Sequence, residues 1–198
     1  MVKSIYAVFF SLFAIFIFSL MSCSKEEVKP KPTEAELIVR GKYLVNTGGC
    51  NDCHTPKIFN EKGMMLDTTR ILSGHPSDSK LAEIDSKMIG PGKWVLANGG
   101  ATAWVGPWGM SYSANLTPDK ATGIGALSEE MFKKTLREGK WMGVGRPLLP
   151  PMPWQGIGQF NDDDLSAIYH YLKSLKPINN KVPDPVAPDM MAKGMAMK

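Results

Sequence analysis

A single, predominantly helical domain with long loops is what this sequence predicts. Three segments carry helix start and stop signals, whereas only Trp94–Ala97 and Ala101–Val105 look strand-like. The chain of 198 residues also contains 15 Pro and 19 Gly, residues that punctuate elements rather than extend them. With 43% hydrophobic and 21% charged residues it has the composition of a globular protein, and its length suits one well-buried core.

The first helix is predicted to start at Thr33, because Thr33 and Glu36 form a capping box. Residues 35–45 are apolar at most positions, until Gly48-Gly49 stops the helix just before Cys50. Gly41 inside it costs up to about 1 kcal/mol of helix propensity relative to alanine, which predicts close packing against another helix. From Pro56 to Pro118 the signals are weaker, and Asn98-Gly99-Gly100 is expected to turn a small β-hairpin. The second helix is capped by Ser128, buries Met131, Phe132, Thr135 and Leu136, and stops at Gly139. The third is capped by Asn161, carries Asp162–Asp164 at the positive end of its dipole, and ends before Pro177. Its predicted apolar face is Leu165, Ile168, Tyr169, Leu172 and Leu175.

The expected organisation is a signal peptide over 1–22, a tether over 23–32, the folded domain over 33–176 and a tail over 177–198. The first of these rests on Lys3, the nearly unbroken apolar run Ile5–Leu20 and the small residue Ser22 before Cys23. Leu20-Met21-Ser22-Cys23 resembles the lipobox of bacterial lipoproteins, which implies cleavage before Cys23 and its lipidation. The alternative is an uncleaved membrane anchor, since the apolar run is near the lower length limit for spanning a bilayer. Either reading puts the domain at a membrane surface on the exported side, facing the periplasm. The stretch after Cys23, with Lys25-Glu26-Glu27, reads as a solvated tether, although it also resembles surface-export signals of some lipoproteins. The tail is Pro-rich, then Met-rich, and is expected to be disordered or draped on the surface, with Cu(I) binding by Met190, Met191, Met195 and Met197 as the minor alternative.

Processing before Cys23 leaves 22 basic against 19 acidic residues, so the mature protein is nearly neutral. No basic cluster interleaves with aromatics, and nucleic-acid binding is set aside. The three cysteines leave one unpaired in any disulfide scheme, which is unusual for an exported chain. Lipidation of Cys23 together with thioether bonding of Cys50 and Cys53 accounts for all of them.

Cys50-Asn51-Asp52-Cys53-His54 has the C-x-x-C-H form of a haem c attachment site. Two thiols two residues apart can reach the two vinyl groups of one porphyrin, and the adjacent histidine can ligate its iron. One such motif implies one covalent haem. The alternatives are a dithiol pair, or a zinc site completed by His75 or His170. For the sixth iron ligand the best placed residue is Met152, in Pro150-Pro151-Met152-Pro153-Trp154, whose prolines stiffen an extended segment. His75, Met110, Met142 and an open position remain the alternatives. Trp94, Trp104 and Trp108 read as core residues, or else as partner contacts.

With these motifs on the page, the chain resembles the class I cytochromes c, in particular the monohaem domains of cytochrome subunits of membrane-bound alcohol and aldehyde dehydrogenases. The resemblance runs through residues 40–45, Cys50 to His54, Ser113-Ala114-Asn115-Leu116-Thr117-Pro118-Asp119, Thr122-Gly123-Ile124-Gly125, Leu136-Arg137-Glu138-Gly139, residues 149–154 and residues 164–175. It implies an all-α fold with crossing first and last helices, Gly41 near Tyr169, His54 and Met152 on opposite sides of the iron, and a large loop insertion over 58–113. The implied function is a membrane-anchored electron carrier, not an enzyme. Its redox partners would be a dehydrogenase, a quinol-oxidising complex or a terminal oxidase. The alternative is a haem protein with a displaceable sixth ligand, acting in gas or peroxide chemistry.

Overall fold

The computed structural model describes residues 30–192. The expected signal peptide, Cys23, most of the tether and the last six residues, with Met195 and Met197, lie outside them. Among the described residues no helix is long and apolar enough to cross a membrane. One compact unit, beginning at Thr33, holds all the elements described below.

Helix α1 (Glu34–Thr47) begins where the capping box puts it: the Thr33 hydroxyl accepts the Glu36 N–H, and the Glu36 carboxylate accepts the Thr33 N–H at 2.7 Å. After Gly48, Gly49 takes a left-handed φ of 71° and turns the chain directly into the short helix α2 (Cys50–His54). Next come two small antiparallel sheets. Strands β1 (Lys57–Asn60) and β2 (Gly63–Leu66) form an exposed hairpin. Strands β3 (Leu96–Ala97), β4 (Ala103–Gly106) and β5 (Gly109–Tyr112) form a sheet in sequential order. Helix α3 (Glu129–Glu138) runs from its Ser128 cap to left-handed Gly139. A short α4 (Trp154–Ile157) leads into α5 (Asp162–Ser174), capped by Asn161, whose side chain accepts the Asp164 N–H at 2.7 Å. The last element, α6 (Pro188–Ala192), packs against β5.

The core lies where α1, α3 and α5 meet, from Leu44, Val45, Phe132, Leu136, Leu165, Ile168 and Leu172, with Leu72, Ile124 and Leu127 contributed by the loops. Gly41 sets the distance between α1 and α5. A Cβ there would overlap the carbonyl oxygen of Ala167 and stand 2.7 Å from the Cβ of Tyr171. The crossing is reinforced by Arg40, whose Nε donates to Asp164 at 2.9 Å. His170 of α5 reaches Glu34 of α1 at 2.7 Å and Glu129 of α3 at 3.4 Å.

Several expectations need correction. The fold is helical at its core but not all-α, because two small sheets occupy the 58–113 insertion. Their strands are too short for a periodic pattern and are defined by cross-strand partners. The hairpin at Asn98-Gly99-Gly100 exists, with Leu96 facing Val105, but β4 turns again into β5. Gly41 meets Ala167 and Tyr171, not Tyr169; 167 and 171 are one helical turn apart, and 169 projects to another side. Tyr169 instead sits 5.6 Å from the Phe132 ring and donates its hydroxyl to Leu127 O. Met131 is exposed, at 38%.

The described part of the tail is held in place. Asn180 Nδ2 donates to the carbonyls of Ser73 at 2.7 Å and His75 at 2.9 Å, and its Oδ1 accepts the Ser77 N–H. Buried Asn115 donates to Ile178 O at 2.8 Å, and Met110 and Val186 exchange both backbone hydrogen bonds. The tail thus lacks an apolar face but supplies partners to buried carbonyls, which hydropathy does not register.

Two outcomes follow from this packing. Gly41→Ala should destabilise the fold by at least about 2 kcal/mol in urea unfolding, because the gain of helix propensity is smaller than the cost of forcing two backbones apart. Asn180→Ala should cost about 1–3 kcal/mol in the same assay, since it strips donors from two carbonyls at once.

Candidate functional site

Helix α2 carries Cys50, Cys53 and His54 within little more than one turn. The polar side chains around it act as its caps. Lys57 Nζ donates to the carbonyls of Asp52 at 2.8 Å and Thr55 at 2.5 Å, where the helix leaves its C-terminal oxygens without amide partners. Thr55, fully buried, donates its hydroxyl to Asn51 Oδ1 at 2.8 Å and accepts the Leu72 N–H at 2.9 Å. That bond holds Leu72 in place despite its left-handed φ of 58°.

His54 is buried, and its Nδ1 lies 2.7 Å from the carbonyl oxygen of Ala114. A carbonyl can only accept, so Nδ1 carries the proton and the free lone pair stands on Nε2. Burial lowers the imidazole pKa below its ordinary value, which favours the neutral, ligating form. The Ala114 carbonyl is itself fixed by the loops around it. Gly74 donates to His54 O at 2.8 Å, His75 donates its N–H to Ser113 O at 2.9 Å, and Leu116 donates to Leu72 O at 2.8 Å. Gly74 must be glycine here, because its φ is 80° and a Cβ would press on the backbone of Ser113 and Ala114.

Both Cys50 and Cys53 are free thiols. Burial pushes the Cys50 thiol up to about 11 and raises that of Cys53 as well, so neither is an activated nucleophile. Cys50 and Met152 pack against the same hydrophobic core cluster. The segment around Met152 is tied to the insertion, since Ser111 Oγ donates to Pro150 O at 2.6 Å. Trp108 Nε1 in turn donates to Ser111 Oγ at 3.1 Å.

The other candidate ligands are engaged elsewhere. Met110 is buried in β5 and its sulfur accepts the Tyr112 hydroxyl at 2.8 Å. His75 is buried, lies against the Tyr112 ring at 5.0 Å and pairs its Nδ1 with the Thr102 hydroxyl at 2.9 Å. Met142 is exposed, on a turn. His170, the other donor considered for zinc, pairs with Glu34 and Glu129, and no three-residue metal cluster of His, Cys, Asp or Glu forms among the described residues. Trp94 is exposed, whereas Trp104 and Trp108 are half-buried beside the Met152 segment's anchor.

A haem c fits these residues. Two thiols precede, on one short helix, a histidine whose Nε2 alone is available for ligation, and the Met152 thioether lies at the edge of the core that Cys50 also meets. Trp104 Nε1, on the strand facing Ser111, is the sole buried side-chain polar atom without a partner among the described residues. A cavity of about 490 Å³ between the two sheets, lined by Phe59, Leu81, Ile84, Leu96, Val105 and Met110 among others, includes none of the four candidate ligand residues. The sequence assigns Ala114, Ser111 and Trp108 no part in orienting the candidate ligands, because the first acts through its backbone and the others through contacts made only in the folded chain.

No family model matches the chain. Among known proteins, it is 31% identical over 149 residues, 75% of its length, to a nicotinate dehydrogenase subunit of Pseudomonas putida, of which it covers 9%. It is 30% identical over 83% of its length to the cytochrome c subunit of alcohol dehydrogenase (quinone) of Gluconobacter oxydans, covering 27% of that protein. It is also 30% identical over 68% of its length to the gluconate 2-dehydrogenase cytochrome c subunit of Pantoea cypripedii, covering 22% of it. The chain therefore spans about a quarter of the length of the last two relatives and less of the first.

The Thr55 hydroxyl gives a local check on the site's frame. Thr55→Val should lower stability by about 1–3 kcal/mol, because the buried Leu72 N–H loses its acceptor, while Thr55→Ser should retain most of it. Equal urea midpoints for Thr55→Val and the native protein would remove the role assigned to this bond.

Proposed function

This chain is homologous to the cytochrome c subunits of alcohol, gluconate and fructose dehydrogenases, and from that premise we propose that it is a membrane-anchored monohaem cytochrome that passes single electrons between redox partners. The observation that carries the reading is the His54 Nδ1–H bond to Ala114 O, which leaves Nε2 free to ligate, on the same short helix as two free thiols. In it, Cys50 and Cys53 would hold one haem by thioether bonds, and His54 and Met152 would ligate its iron. The haem supplies an iron that changes oxidation state by one electron, and thioether–imidazole ligation raises its potential.

The protein's own residues then have three tasks. Ala114 fixes the ring orientation and tautomer of His54, and the electron density it lends to the imidazole supports ligation. Met152, presented on its proline segment, would occupy the iron in place of a gas or peroxide, and the protein would then act as a carrier. The helical core with Leu72 and Leu116 would give Cys50 and Met152 a low-dielectric wall to pack against. The partner supported by the relatives is a dehydrogenase, and anchoring through lipidated Cys23 would hold the domain at the membrane surface on the exported side.

Intact-mass measurement of the purified protein should find one covalent haem, lost in the Cys50→Ala, Cys53→Ala double variant; a haem-free native protein would overturn the reading. Met152→Ala should abolish the methionine–iron charge-transfer absorbance of the oxidised protein. Rapid carbon monoxide binding by the unmodified reduced protein would instead mark the sixth position as open. Replacing Cys23 by Ser should move the protein from the membrane fraction to the soluble exported fraction.

A further inference from the structure

The geometry points to Trp108 and Ser111 as positioning residues for the methionine ligand, an inference that rests on the assignment of Met152 to the iron. Pro150, Pro151 and Pro153 donate no N–H, so the segment that presents Met152 has few backbone donors of its own with which to tie itself down. Within it, Met152 donates to Leu149 O at a long 3.3 Å. The tie comes from outside. Ser111 Oγ donates its one proton to Pro150 O at 2.6 Å, two residues before Met152, and accepts the Trp108 indole N–H at 3.1 Å. With donor and acceptor directions both occupied, the hydroxyl has no other rotamer to serve, and Ser111 is 6% exposed.

The hairpin behind this relay is built not to give way. The Trp108 ring lies across the β4–β5 turn against Gly106, where a Cβ would stand 2.6 Å from the ring carbons. Gly106 and Gly109 pair across that turn, and Trp104 faces Ser111 in the register. At the other edge β5 is locked by the two backbone bonds between Met110 and Val186, at 2.8 and 2.9 Å. A clamped ribbon therefore grips one carbonyl of an otherwise weakly tied ligand segment. Its consequence is kinetic and spectroscopic: the relay suppresses the state in which Met152 has left the iron.

The test uses the full-length haem-loaded protein and the variants Ser111→Ala, Ser111→Thr, Trp108→Phe and Met152→Ala. The readouts are the rate of cyanide binding to the oxidised form, the rate of carbon monoxide binding to the reduced form, and the methionine–iron absorbance. Ser111→Ala should keep its haem and speed both binding rates about fivefold, the weight of one lost hydrogen bond. Trp108→Phe, which keeps an aromatic side chain and removes the N–H, should give a smaller increase, and Ser111→Thr should return to native rates. Thermal unfolding measured alongside identifies a variant that merely fails to fold, in which case Trp108→Phe carries the test. If Met152→Ala loses the absorbance and binds both ligands fast while Ser111→Ala and Trp108→Phe match the native protein, the relay is overturned and the ligand assignment stands. If Met152→Ala leaves the absorbance intact, the ligand assignment itself fails.

Discussion

The close approach of α1 and α5 at Gly41 is the constraint on which the remaining architecture depends. Without a side chain at that position the two backbones come together over Ala167 and Tyr171. This brings Leu44 and Val45 onto Leu165, Ile168 and Leu172 in one cluster. Since α1 runs through Gly48 and Gly49 straight into α2, fixing α1 also fixes the origin of the two thiols and the histidine. The electrostatic contacts at the crossing, Arg40 with Asp164 and His170 with Glu34, are partly exposed and add little energy beside the packing. They set the relative rotation of helices that apolar contact alone would leave free to slide.

The insertion completes what the helices leave unfinished. A bundle can bury a histidine, but it cannot by itself fix which ring nitrogen is protonated, and here the loop residue Ala114 does so with a backbone oxygen. The same loop is braced by Thr102, Leu72 and His75, and through Asn115 it meets Ile178 beyond the last long helix. Residues on both flanks of the candidate ligand set, in the hairpin and in the segment after α5, therefore share one hydrogen-bonded framework. The polar groups buried in it are nearly all paired, as a low-dielectric interior requires.

What the sequence disclosed and what it concealed divide along a physical line. Helix starts at Thr33, Ser128 and Asn161 were legible because a cap is a local agreement between one side chain and an amide two or three residues away. The C-x-x-C-H motif was legible because its chemistry is written in consecutive residues. The Asn98-Gly99-Gly100 hairpin was legible from its turn residues, but Lys57–Asn60, Gly63–Leu66 and Gly109–Tyr112 were not, because four-residue stretches without a clear alternation acquire their identity only from a partner strand. Tyr169 drew attention as a large aromatic on an apolar stripe, yet the crossing is made by Ala167 and Tyr171, where what matters is the lack of bulk at Gly41. The tail escaped notice for a related reason: Asn180 contributes amide hydrogen bonds, and nothing in its composition signals that two buried carbonyls await them.

The crossing at Gly41 also orders events in time. Arg40 and Asp164, which clasp across it, are 124 residues apart in sequence, so the contact that closes the core is among the least local in the molecule. Such contacts carry a large loop-closure entropy and form late. As the chain emerges from synthesis, α1 and the adjoining cysteines precede α5 and wait, unpartnered, for it. Throughout that interval the two thiols belong to an open chain, and the arrival of the last long helix closes the core against which Cys50 packs, while both cysteines stay partly exposed.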